Sequence, residues 1–289
     1  MRIIFWIKNI KLKIIKLFIY LLKLKGINLV QLNLPTNTLL VSLEDEGISR
    51  TLFINKVHEQ YSTNKFLQNI KESYIHLEIG ANIGYYALMA AKNAGRTGKI
   101  ISLEPNQDNI KLLKANVILN NFEDNFEYYN CAASSSDGEK DFYITNKSNT
   151  CSFVERNDKY IFTKDICKVQ TVTLDNLLNN QHIDYFRMDV EGYEFEILKG
   201  MKNILSRVNP PEGCFIEVHS EILKDLGFSA KEFIHYLENY NYDIELAMYR
   251  GNKSISVYGM DNLYNHKLLE VGYWEIFFKQ KSLMGENNV

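Results

Sequence analysis

Residues 76–86 read HLEIGANIGYY: an apolar run stops at Gly80, turns through Ala81, Asn82 and Ile83, and reaches Gly84 before two tyrosines. The pattern describes a strand, a tight turn and the start of a helix. Glycine at both ends of the turn is explained if a Cβ would block the turn, a ligand, or the packing of helix on strand. A dinucleotide fingerprint, GxGxxG, sets a pyrophosphate on the helix N-terminus, but here Asn82 stands at its middle glycine and Glu78 precedes Gly80 by two residues. A carboxylate in that place repels phosphate and accepts hydrogen bonds from an amino group or a hydroxyl.

The next apolar run, KIISLE, ends in Glu104, about twenty residues past Gly84, where an acid can hold both hydroxyls of a ribose. A ribose and an ammonium without a phosphate describe S-adenosylmethionine better than NAD or ATP. Taken alone, Gly80 and Gly84 could merely pack the sheet; Glu104 at this spacing is what adds a ligand.

Farther along, short apolar runs alternate with helical stretches. YIHLEIG precedes a helix near 84–94, KIISLEP one near 107–120, YFRMDV one near 193–205 and CFIEVH one near 229–240, with FEYYNCAAS, IELAMY and YWEIFFKQ as further strands. This alternation predicts an α/β fold with a doubly wound, mainly parallel sheet covered on both faces, because a parallel crossover must carry the chain back across the sheet. The glycine- and asparagine-rich segment before YWEIFFKQ predicts no helix there and an antiparallel last strand. Ahead of the sheet, LLVSLEDEGISRTLFIN alternates around Glu44 to Gly47, which predicts a hairpin or two short strands, followed by a helix near 56–72. The expected divisions are a basic amphipathic helix over 1–34, a hairpin and helix over 35–73, the main domain over 74–281 and a tail over 282–289.

The chain has 289 residues and a net charge of −2, which hides an asymmetry: Arg2, Lys8, Lys11, Lys13, Lys16, Lys23 and Lys25 all precede the first acid, Glu44. In the same stretch Ile3, Ile7, Ile10, Ile14, Leu17, Phe18 and Leu21 fall on one helical face. Its uncharged run, Leu17 to Leu22, is far shorter than the roughly 20 residues that cross a bilayer. Residues 2–25 therefore suit a helix lying in a membrane surface with lysines reaching anionic headgroups, or one docked on the protein's own body or on a second subunit. Cys131, Cys151, Cys167 and Cys214 are far apart and form no CxxC pair, so a zinc ribbon or disulfide framework is not indicated, and a cytoplasmic setting, with the inner membrane face as an option, is expected. The basic stretch is lipophilic and offers few polar contacts to phosphates or base edges, so nucleic acid is not expected as a partner.

MDVEGYE and IEVHSE end two later strands. Asp189 and Glu191 are two apart, as are Glu217 and His219, so each pair shares a face while the strand stays extended. If the strands are neighbours, three carboxylates and an imidazole converge at their ends. His219 could take a proton from a hydroxyl while Asp189 or Glu217 holds its tautomer. Alternatively Asp189, Glu191 and His219 could ligate a divalent metal, or Glu191 could cap the next helix and His219 be a satisfied core histidine. Tyr85, Tyr86 and Tyr193 adjoin the two motifs and are candidate walls for an acceptor.

LEIGANIGYYAL, SLEPNQDNIKLLKANVILNN, VTLDNLL, FRMDVEGYEFEILKGM and FIEVH, in that order over about 70–220, together resemble the FkbM family of S-adenosylmethionine-dependent methyltransferases. The resemblance implies a Rossmann-like methyltransferase fold and O-methylation, commonly of sugar hydroxyls in glycans, glycolipids or natural products. It places the donor against Glu78, Gly80, Ala81, Asn82 and Gly84, with the ribose on Glu104 beside Pro105 and the adenine near Asn106 and Ala132 of the NCAAS strand end. Asp189 and Glu191 fall in the family's DVEG box; the residue reading above adds His219 as their catalytic partner and Tyr85, Tyr193 and Glu217 toward the acceptor. Two departures stand out: Arg187 occupies the place of a common lysine, and Glu78 that of a commoner aspartate. Arginine does not titrate as lysine does, so a proton-transfer role at 187 is not expected. Two alternatives remain, a non-catalytic donor-binding or membrane-attached scaffold and an NAD-dependent oxidoreductase on the same fold, the latter lacking its GxGxxG.

Overall fold

The structure, a computed structural model, describes residues 17–156, 160–251 and 255–283. Helix α1 covers 17–24 and ends in a turn at Gly26, whose φ of +73° suits glycine. Of the expected N-terminal helix, residues 1–16 lie outside the described residues. Strands β1 (Leu29–Asn33) and β2 (Thr38–Ser42) form an antiparallel hairpin. Its turn lies at Pro35 and is closed by Leu34 N donating to Asn37 O at 2.9 Å, not at Glu44 to Gly47 as the sequence suggested. At that second place the Asp45 carboxylate accepts from Gly47 N and Ser49 N, both at 2.8 Å, and so starts helix α2 (Ile48–Asn55). The single helix expected near 56–72 is the shorter α3 (Gln60–Asn69).

The main fold then follows the expected alternation: β3 (Ile75–Ile79), α4 (Tyr85–Ala94), β4 (Lys99–Leu103), α5 (Gln107–Leu119) and β5 (Phe126–Tyr129). FEYYNCAAS does not continue as one strand. It breaks at Asn130, whose amide donates to the carbonyls of Glu104 (2.8 Å) and Pro105 (3.0 Å), and resumes as β6 (Ala132–Ala133) in a separate three-stranded sheet with β7 (Gly138–Thr145) and β8 (Thr163–Val172). Helix α6 (Leu174–Leu178) leads into β9 (Tyr185–Met188). The helix expected near 193–205 is two pieces, α7 (Glu194–Lys199) and α8 (Lys202–Leu205), because Gly200 packs against Ser134 O where a Cβ would lie at 2.0 Å. Strand β10 (Gly213–His219), α9 (Ser220–Asp225), α10 (Ala230–Glu238), β11 (Tyr242–Tyr249), β12 (Ser256–Val257), α11 (Met260–Tyr264) and β13 (Tyr273–Gln280) complete the order. Helix α11 corrects the expectation of no helix before the last strand; five residues are too few to show a helical period.

The large sheet has eight strands in the order β12-β11-β13-β10-β9-β3-β4-β5. β3, β4, β5, β9 and β10 run parallel, and β13 is inserted antiparallel between β10 and β11. This is a doubly wound, Rossmann-like arrangement with an antiparallel last strand. One face is packed by α2 to α5 and the hairpin, around Leu39, Leu52, Phe66, Leu88 and Leu113; the other by α7 to α11, around Leu198, Leu223, Phe233 and Leu263. The order reverses between β3 and β9, which opens a crevice at their C-terminal ends.

Candidate active site

The crevice is a cleft whose walls come from four strand ends: Ile79 to Asn82 at the end of β3, Leu103 to Pro105 at the end of β4, Cys131 to Ala133 around β6, and Asp189 to Glu191 after β9. The backbone at Gly80 has a φ of +80°, and a Cβ there would stand 2.1 Å from Asp189 O. The glycine is therefore required by the close approach of two strand ends. Gly84, with a φ of +95°, opens helix α4 against the Leu113 side chain.

Glu104 lines the cleft and is buried. Its carboxylate accepts from Asn82 N at 2.7 Å, from Asn106 N at 2.8 Å and from the Asn109 amide at 3.4 Å, so it ties the β4 end to the glycine turn. Burial pushes its carboxyl up to about 7, against the backbone N–H groups of Asn106 and Asn82, which favour the charged form. Oε1 already accepts twice, whereas Oε2 accepts once and retains a lone pair for a hydroxyl. Ala81, Asn82, Pro105 and Ala132 share the cleft with it. Asn106 stands apart, because its side chain caps α5 by accepting from Asp108 N and Asn109 N.

Glu78 is a correction to the sequence reading. Strand pairing sets it opposite Arg187, and its two oxygens are taken by Arg187 Nη1 and His76 Nε2, each at 2.8 Å. It is fully buried beneath the cleft and does not line it. The departure at 187 acquires a purpose from the same geometry. The buried guanidinium lies with Cζ 3.8 Å from the centroid of the Tyr86 ring and uses its second nitrogen, Nη2, to hold Asp189 Oδ2 at 2.8 Å. The other oxygen, Asp189 Oδ1, is buried and has no hydrogen-bond partner among the described residues. Burial raises the Asp189 carboxyl; Arg187 opposes the rise and neighbouring Glu191 adds to it.

β9 and β10 are adjacent, so the two acid-bearing strand ends converge. Glu191 leaves the strand in a left-handed conformation (φ +56°) that carries its carboxylate toward His219 Nε2, 3.3 Å away, and onto Arg156 Nη1 at 2.9 Å. The opposite ring nitrogen, His219 Nδ1, meets Glu194 Oε1 at 2.7 Å. The sequence reading named Asp189 or Glu217 for that task. Burial alone would lower the His219 pKa, yet Glu191 and Glu194 outweigh it and hold the imidazole well above its ordinary range. His219 does not line the cleft, and the carboxylates on both ring nitrogens favour its charged form, which disfavours the expected role as base. Glu217 lies deeper still, paired with Arg250, and faces Glu275 across the β10–β13 ladder. Arg250 also binds Glu59, and Ser62 donates to Glu275.

Asp189, Glu191 and His219 bring ligand atoms within 4.8 Å of one another, as do Glu59, Glu217 and Glu275. Arg187 and Arg156 already sit on the first trio, and Arg250 on two acids of the second, so both sets carry compensating charge. Tyr85 and Tyr193 line the cleft; Tyr85 OH donates to His58 O at 3.1 Å, and Lys140 donates to Tyr193 OH. The excursion after β6 adds Phe142, Ser148, Asn149, Cys151 and Phe153 to the cleft, residues in which the sequence carried no readable motif.

The chain is 25% identical over 167 residues to hexuronic acid methyltransferase AglP of Haloferax volcanii, a match covering 57% of this chain and 64% of that protein. The match thus spans less than two thirds of that relative's length. Among solved structures, methyltransferase FkbM of Methylobacillus flagellatus KT is similar at a TM-score of 0.42 and 14% identity, over 78% of this chain and 52% of the other. Trm5 of Methanocaldococcus jannaschii, solved in complex with adenosine, is similar at 0.46 and 11% identity, over 88% and 55%. Residues 78–244 match the methyltransferase FkbM domain, and the chain belongs to the FkbM methyltransferase family.

Proposed function

We propose that the protein is an S-adenosylmethionine-dependent O-methyltransferase acting on a hydroxyl of a sugar. The observation that carries the reading is that Glu104 and Asp189, whose buried Oδ1 has no partner among the described residues, line one cleft, around a turn too close-packed for any side chain at Gly80. The residues fit the donor: the Gly80 to Gly84 turn takes its amino-acid portion, Glu104 the ribose hydroxyls, and Cys131 to Ala133 with Pro105 the adenine. When bound, the donor supplies a methyl group activated on a sulfonium.

The chain's own part is to align the acceptor oxygen and remove its proton. Asp189, a cleft residue, is suited to that removal, because Arg187 fixes one oxygen and leaves the other without a partner among the described residues, while burial raises its affinity for a proton. His219 then serves by charge, holding Glu191 and Glu194 in place behind the cleft. Tyr85 and Tyr193 provide flat apolar walls of the kind a sugar ring packs on. A sugar acceptor is further supported by family membership and by the hexuronic acid methyltransferase named among the relatives.

The test is methyl transfer from labelled S-adenosylmethionine to a panel of neutral sugars and hexuronic acids. Asp189→Asn is expected to keep donor uptake and to lose turnover by about 10²–10⁴-fold. Full turnover by that variant, or no donor uptake by the wild type, would overturn the proposal.

A further inference from the structure

Helix α1 turns its apolar side away from the protein. Leu17, Phe18, Tyr20, Leu21 and Leu24 are between 49% and 66% exposed, whereas Ile19 and Leu22 are half-buried. Ile19, Tyr20 and Lys23 line a groove whose other wall includes Leu43, Arg50 and Phe53. The body is therefore met from one side, and Leu17, Phe18 and Leu21 point outward. These three are the end of the apolar stripe that runs through Ile3, Ile7, Ile10 and Ile14 in the sequence.

We propose that this segment is an in-plane anchor for the surface of an anionic phospholipid bilayer. Three occupants could cover such a stripe, and charge decides between them. The protein's own body is disfavoured because the described turns face away from it. A second copy would bring two segments together that each carry seven cations before their first acid, Glu44. Anionic headgroups instead complement those cations, and lysine stems can lie along the apolar face while their heads reach the phosphates. No helix among the described residues is long and apolar enough to cross a membrane. The anchor also adjoins the cleft: the segment forming the groove's far wall continues into Ile48, a cleft residue, and Asp45 from the same wall accepts from Ser148 N at 2.8 Å. The inference rests on exposure and charge and is independent of the reaction proposed above.

The experiment is flotation of the full chain with vesicles of phosphatidylcholine alone or mixed with phosphatidylglycerol. Partition onto the mixed vesicles is expected to be at least about tenfold stronger and to fall in about 1 M salt, where the Debye length shrinks to roughly 3 Å. Lys13→Gln, Lys16→Gln and Lys23→Gln combined should remove about a hundredfold, at about fivefold per lysine. Leu17→Glu with Leu21→Glu should lower partition at least about tenfold; both side chains are exposed, so circular dichroism and thermal unfolding should match the wild type. Equal partition onto neutral and anionic vesicles, or an undiminished Leu17→Glu, Leu21→Glu variant, would overturn the proposal. So would a dimer in vesicle-free solution that the same variant dissolves, since the stripe would then belong to a second copy.

Discussion

Glu104 should make the ligand-free protein less stable as pH rises toward neutrality, and Glu104→Gln should abolish that trend. The buried carboxyl titrates at about 7 instead of its ordinary 4.5. Between those values the folded chain holds a proton that the unfolded chain has released, so unfolding becomes easier as pH climbs through the window and the full cost is felt above it. Between pH 5 and pH 8 the linkage amounts to about 2–3 kcal/mol. Glutamine never ionises. Its amide must also face one of the two backbone donors, Asn82 N or Asn106 N, which lowers stability by about 1–3 kcal/mol at every pH. The variant's profile is therefore displaced vertically by a constant and should diverge upward from the wild type by about 2–3 kcal/mol across that window. Urea denaturation of both proteins without donor, at four pH values, measures this directly, and the difference cancels every other titrating group. Saturating S-adenosylmethionine should flatten the wild-type profile, because ribose hydroxyls donating to Glu104 favour its charged form, while the variant should bind the donor roughly 10–100-fold more weakly. Parallel profiles for the two ligand-free proteins would refute the reasoning.

Gly80→Ala should destabilise the fold by about 2–4 kcal/mol in chemical denaturation, since its Cβ would meet Asp189 O at 2.1 Å in a left-handed backbone, and the surviving folded protein should turn over poorly. His219→Gln removes the cation between Glu191 and Glu194 and should lower stability by about 3–5 kcal/mol near pH 6. His219 contributes fully below its unfolded pKa of about 6.5, and the contribution is lost as pH rises through its higher folded pKa, so the deficit of the variant should shrink in strongly alkaline buffer. Turnover should be unchanged by EDTA, because Arg187 and Arg156 already neutralise Asp189 and Glu191; loss of activity restored by a divalent ion would instead make that trio a metal site.

Much of this site could be read from the chain because each strand-end motif is local in sequence and the fold class says where strand ends meet. Gly80, Glu104 and Asp189 each end a strand, and strand ends of a doubly wound sheet meet at one edge. Pairings between distant segments were not readable. Glu78 lies 109 residues from Arg187 in sequence, and only the strand register of β3 on β9 reveals that its carboxylate is spent on the guanidinium. Glu194 offered a local signal, three residues beyond Glu191 at the start of a helix, but its contact with His219 depends on β10 lying beside β9. Arg250 and Glu59 come from turns with no periodicity, and they meet only because α3 packs over that end of the sheet.

The buried charges behind the cleft are hard to explain by stability. Glu217 and Glu275 stand directly opposite each other in the β10–β13 register, an arrangement that destabilises a sheet unless compensated. Arg250 and Ser62 supply that compensation, yet an apolar lane of similar volume would hold such a fold at least as well. What the charges do provide is fixed direction. Asp189 keeps one oxygen on Arg187, Arg187 is held by Glu78 and by the Tyr86 ring, and Glu78 is held in turn by His76. Four residues thus determine where a single free oxygen points. In a reaction whose leaving group departs neutral, with little developing charge for an enzyme to stabilise, the position of the base toward the acceptor hydroxyl is the quantity the protein can control, and a displacement of about 1 Å is worth roughly a hundredfold in rate. Under the reaction proposed above, the buried network is the support that would hold Asp189 to that tolerance.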